Sequence, residues 1–117
     1  MTTVTTSKRV YEFGEPIVVT WTNAPGLFAD WVGLYRGVYS TESPTQSVSY
    51  AGWGAGNLAY KMWEYTHASI EGTIALCETS PGADENWPLQ PGSYEIRYLL
   101  DDQYRCVASS ARFQVVW

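Results

Sequence analysis

The chain has 117 residues, 45% of them hydrophobic and 16% charged, which fits one domain over residues 1–117 with a core of its own and argues against disorder. A net charge of −5, with only seven Lys plus Arg spread along the chain, supplies no basic patch for nucleic acid or for an anionic membrane surface. No apolar run approaches the roughly 18 residues that span a bilayer, so membrane insertion is not expected, and no charged start followed by an apolar run reads as a signal peptide.

Turn signals recur at short intervals, and the segments between them alternate with period two, the pattern of a sandwich or barrel and not of βαβ units. "PIVVTWT" at 16–22 places Ile17, Val19 and Trp21 on one face. After the turn-like "NAPG" comes "WVGLYR" at 31–36, read as a second strand with Asp30 shaping the turn before it. The stretch from 37 to 71 is the least ordered in pattern: a weak strand near 47–51, a glycine-flanked Trp53 in a loop, and a better strand at 59–65 that half-buries Trp63. "GTIALC" at 72–77 turns Ile74 and Leu76 inward. "GSYEIRYLL" at 92–100 alternates most clearly, with Tyr94, Ile96 and Tyr98 facing in and Glu95 and Arg97 facing water. Phe113 and Val115 flank Gln114 in the last strand, and no segment shows a capped 3.6-residue period. The expectation is one all-β, antiparallel sandwich of seven to nine strands with little helix and an exposed edge strand that leaves oligomeric state open.

Cys77 and Cys106 are too few for a disulfide framework. A bridge needs adjacent strands, and Cys77 falls out of step with Ile74 and Leu76, which favours two small, partly buried thiols.

The series "EPIVVTW", "NAPG", "DWVGLYR", "MWEYT", "GTIAL" and "WPLQPGSYEIRYLLDDQYRCVASSARFQV" resembles the immunoglobulin- and fibronectin III-like modules attached to secreted hydrolases. It is similar to the N-terminal domain of purple acid phosphatases and to the SKICH domain of autophagy adaptors and inositol phosphatases. The resemblance covers residues 4–116 and implies a fold more than a ligand, because such relatives share architecture and differ in function. It implies that Trp31 packs between the sheets and that Tyr94 makes a tyrosine corner, with Trp21 in the same core. It also implies an extracellular setting, although the cysteine pair that links the sheets of antibody domains has no equivalent here.

The residues offer little to catalysis. His67 is the one histidine and lies in the polar "YTHAS" segment, no nucleophile elbow or phosphate-cradling loop is present, and His67, Cys77 and Cys106 lack zinc-ligand spacing. Asp101 with Asp102, and Asp84 with Glu85 and Asn86, offer oxygens to calcium, but their spacing matches no calcium loop, so no cofactor is expected. The chain reads as a noncatalytic module. Six Trp and nine Tyr suit both a sheet and a binding face. A carbohydrate, recognised lectin-fashion by loop aromatics, is the leading ligand, with Trp53, Trp87, Tyr50 and Asn57 as contacts. The competing reading is a structural or protein-interaction accessory domain of a secreted hydrolase or a SKICH-like adaptor.

Overall fold

A computed structural model describes residues 1–36 and 60–117. Among these residues nine strands and one short helix form an all-β sandwich: β1 (Thr3–Thr6), β2 (Val10–Glu12), β3 (Ile17–Thr22), β4 (Trp31–Arg36), β5 (Tyr60–Tyr65), β6 (Gly72–Leu76), α1 (Ala83–Asn86), β7 (Gly92–Leu100), β8 (Arg105–Ser109) and β9 (Phe113–Val116). One sheet runs β1-β3-β6. The other runs β2-β9-β7-β4-β5, with β8 also on β7, and its β2–β9 pair is the parallel one.

Alternation builds the space between the sheets. Ile17, Val19 and Trp21 from β3 meet Val32 and Leu34 from β4, Met62 from β5, and Tyr94, Ile96 and Tyr98 from β7. Trp21 spreads over Gly72, where an added Cβ would lie 2.6 Å from the ring, and its indole N–H donates to the Ser69 carbonyl at 3.0 Å. The Tyr94 hydroxyl donates to the Gln90 carbonyl four residues upstream at 2.6 Å, the local geometry of a tyrosine corner.

Two tight turns shape this arrangement: one carries the chain from β5 in the larger sheet to β6 in the smaller, and the other closes the β7–β8 hairpin. His67 and Ala68 both have positive φ between β5 and β6, as do Asp101 and Asp102 between β7 and β8. The Ser69 N–H returns to the Thr66 carbonyl and the Gln103 N–H to the Leu100 carbonyl, which closes each turn; the second joins strands that pair antiparallel. The β7 edge is shared by β8 and β9, and Ser110 bridges the gap between them. Its N–H donates to the Ile96 carbonyl at 2.8 Å, while its hydroxyl accepts from the Ile96 N–H at 2.9 Å and donates to the Ala111 carbonyl.

The outer face of the larger sheet departs from the expected pattern. Trp31 is buried, but it belongs to a second cluster with Tyr35, Leu99 and Cys106, on the opposite face of β4 from Val32 and Leu34. It does not pack between the sheets, because strand alternation sends residues 31, 33 and 35 outward once 32 and 34 face in. Glu95 and Arg97 share this outer face and are buried rather than facing water. They pair at 3.2 Å, and the Arg97 guanidinium lies 4.3 Å from the centre of the Tyr35 ring. Burial of such a pair is tolerated where partner and ring replace water.

Candidate functional site

The outer face is laid out by register. Trp31 stands opposite Tyr65 on β5 and Leu99 on β7; Gly33 stands opposite Trp63 and Arg97; Tyr35 stands opposite Tyr60 and Glu95, after a bulge at Leu34/Tyr35. Gly33 is the gap in this array. A Cβ there would lie 2.9 Å from both the Trp31 and the Tyr35 ring, so the two rings lean across bare backbone from either side.

The entrance to β4 is held by Asp30, which is fully buried. Its carboxylate accepts from the Leu27 N–H at 3.1 Å, the Tyr98 hydroxyl at 2.8 Å and the Asp101 N–H at 2.9 Å. Its carbonyl accepts from the Thr66 N–H, and the Asp102 N–H donates to the neighbouring Ala29 carbonyl. One side chain thus ties together the turn before β4, the core face of β7 and the β7–β8 hairpin tip. Charge-assisted bonds of this kind are the stronger class, and here they set where the hairpin tip sits over the sheet.

That tip completes an aromatic groove of about 90 Å³, lined by Trp31, Tyr60, Trp63, Tyr65, Asp102 and Tyr104. Trp31 lies at its centre. Its ring stands nearly perpendicular to those of Tyr60 (5.3 Å, 75°), Trp63 (6.4 Å, 80°) and Tyr104 (6.0 Å, 90°), while Tyr60 and Tyr104 are close to parallel at 6.4 Å. Trp63 meets Tyr65 edge to face at 4.9 Å. The Trp31 indole N–H donates to the Gln103 carbonyl at 3.0 Å, and the Tyr65 hydroxyl donates to Asp102 Oδ1 at 3.1 Å. That bond to a carboxylate, followed by burial, holds the Tyr65 phenol above its ordinary pKa; burial and then Tyr104 do the same for Tyr60. Both stay neutral, and the groove presents ring faces with one carboxylate at the rim.

A larger cavity of about 280 Å³ lies beside the Arg36 end of β4, lined by Arg36, Lys61, Glu85, Asn86, Trp87, Pro88, Leu89, Gln90 and Tyr94. The short α1 is pinned to β5 by the Asn86 amide, which donates to the carbonyls of Lys61 and Gly82, and Ala83 sinks into the core. Trp87 follows directly, half-buried against the same core. Arg36 donates to the Tyr94 hydroxyl and to the Pro91 carbonyl, each at 3.2 Å. Half an indole, two cations, a carboxylate and amides therefore converge on one recess.

The residues singled out from the sequence separate as follows. Trp87 lines the larger cavity. Tyr50, Trp53 and Asn57 lie outside the described residues. Trp21 and Tyr94 lie between the sheets, and Trp31 lies at the floor of the groove. His67 is exposed in the turn between β5 and β6. Cys77 and Cys106 are both free thiols, and burial pushes Cys106 up to about 11. Among the described residues no three His, Cys, Asp or Glu side chains gather as a metal site, and no helix is long and apolar enough to cross a membrane. Tyr60, Tyr65 and Tyr104 were not singled out from the sequence as site residues. The signal for them is the small Gly33 between Trp31 and Tyr35 on one strand face, which marks a place where rings from neighbouring strands converge.

No family model matches this chain, and no curated protein is significantly similar to it.

Proposed function

We propose that this chain is a noncatalytic recognition module of the immunoglobulin- and fibronectin III-like accessory kind, and that it binds a carbohydrate in the cavity beside Trp87. The observation that carries this reading is the mixed character of the cavity, with a half-buried indole next to Arg36, Lys61, Glu85 and Gln90. A sugar ring offers an apolar C–H face and a rim of hydroxyls. The indole suits the first, and a few placed polar groups suit the second. At about 280 Å³ the recess is near the lower end of the range for small-ligand sites, ~300 Å³ and upward. His67 in its exposed turn gives acid–base chemistry no enclosed setting, which supports a binding role over a catalytic one.

The test is a glycan array followed by polysaccharide-gel retardation. Trp87→Ala is expected to weaken retention by about tenfold, the scale of one aromatic contact, while Trp87→Phe retains part of it. Lys61→Ala, at an exposed position, separates loss of contact from loss of fold. If the unmodified chain is retained by no glycan, the reading fails. The competing reading, a protein-interaction accessory domain, draws support from Leu27, Phe28 and Ile70, exposed on adjoining loops at 43%, 88% and 61%; pull-down that depends on Phe28 and not on Trp87 would favour it.

A further inference from the structure

We infer that the outer-face groove of the larger sheet is an aromatic cage for a small methylated ammonium cation of the choline type, a site separate from the Trp87 cavity and independent of its reading. Three features of the groove lead to this ligand class.

The first is shape. A flat platform of exposed rings suits a sugar face, but here Tyr60, Trp63 and Tyr104 stand edge-on to Trp31, with Tyr60 and Tyr104 nearly parallel above it. The rings thus make a floor and walls around about 90 Å³, room for several waters or one compact head group. The second is chemistry. The Trp31 indole N–H is already bonded to the Gln103 carbonyl and the Tyr65 hydroxyl to Asp102, so these two rings offer π faces in place of polar atoms. Ring faces carry the negative end of the aromatic quadrupole, and a cation within about 6 Å of several of them is stabilised without giving or taking a hydrogen bond. A methylated ammonium is the cation that wants no such bond.

The third feature is charge. Asp102 is the one ionisable carboxylate in the groove lining, and no Lys or Arg lines it among the described residues. The Arg97 guanidinium on this face lies over Tyr35 and pairs with Glu95. With a net charge of −5, the protein's field attracts a free cation and disfavours a head group that carries its own phosphate.

The assignment is tested by titrating the full chain with choline and with tetramethylammonium, following tryptophan fluorescence and the indole N–H resonances of Trp31 and Trp63. The neutral isostere 3,3-dimethylbutan-1-ol is the control. Saturable shifts are expected with both cations, and at least tenfold weaker ones with the neutral alcohol. Tyr104→Ala, at a half-buried position on the hairpin, is expected to weaken binding about tenfold and Tyr104→Phe to restore it. Asp102→Asn is expected to lower affinity severalfold and flatten its salt dependence. A thermal melt of each variant keeps a folding defect apart from a binding one. No saturable shift, equal response to the alcohol, or indifference to Tyr104→Ala overturns the assignment. Recognition of a trimethyl-lysine peptide without any of the free cation overturns the choice of occupant.

Discussion

Asp30 is the side chain on which the architecture around the groove converges. It accepts from a turn N–H, a core phenol and a hairpin N–H at once, with no exposure to solvent. Removing the carboxylate leaves one buried phenol and two partly buried backbone N–H groups without this acceptor, and an orphaned buried donor costs about 1–3 kcal/mol. Asp30→Ala is therefore expected to lower stability by roughly 3 kcal/mol or more, read as a urea midpoint shift at constant slope. Tyr98→Phe removes a single donor together with its need for an acceptor, so it should cost much less. Equal losses for the two variants would show that the carboxylate has no special role. The Tyr98 phenol, raised above its ordinary pKa chiefly by burial, remains a donor throughout the neutral range.

At the scale of the element, β4 explains how one strand serves two surfaces. Its even positions enter the inter-sheet core and its odd positions build the outer cluster, so only the Arg36 end keeps intermediate exposure. Gly33 is the position that permits this, because a side chain there would collide with both flanking rings. Gly33→Ala is expected to push Trp31 and Tyr35 apart, at a cost of about 1–3 kcal/mol for overpacking. The same change should quench or shift tryptophan emission from the groove while leaving the Trp87 cavity intact. A thermal melt within a degree of the parent, with unchanged emission, would contradict it. β7 illustrates the same double duty: its outward Glu95 and Arg97 are buried by pairing and ring contact instead of by apolar character.

For the molecule as a whole, the buried phenols and thiol set the alkaline limit of stability. Burial is the leading cause in each case: it raises Tyr35, Tyr94 and Tyr98 above the ordinary tyrosine value of 10.0, and pushes Cys106 from 9.0 to about 11. All of these groups are neutral when protonated. Above its ordinary pKa each loses its proton in the unfolded chain while still holding it in the folded one, so the unfolded state is favoured progressively. From neutral pH upward, stability is expected to fall as Cys106 from about pH 9 and then the tyrosines contribute, and to keep falling above pH 11. Thermal melts at pH 8, 10 and 11 check this, and Cys106→Ala should remove the part that begins near pH 9. A melting temperature that does not change from pH 8 to 11 would refute it. The two recesses share no lining residue, so ligands at each do not compete for the same side chains.

The sequence by itself determined the all-β class and the bounds of β4 and β7, because period-two alternation and Gly, Pro, Asn and Asp turn chemistry are local properties of the chain. It also marked Tyr94 just after a Pro-Gly turn and Asp30 as a turn residue, whose short-range bonds lie within a few positions. β1, β2 and β8 were not legible, since short edge segments carry too few alternations to stand out. Above all, alternation says that two faces differ and not which one points to the other sheet. Where both faces of a strand carry aromatic and aliphatic side chains, as in "WVGLYR", only the partner strands decide. The tertiary structure therefore settled that Trp31 turns outward, that Glu95 and Arg97 are buried on the same side, and that Tyr60, Trp63, Tyr65 and Tyr104 meet around it from β5 and the β7–β8 hairpin. These contacts join residues dozens of positions apart, and no local pattern encodes such distances.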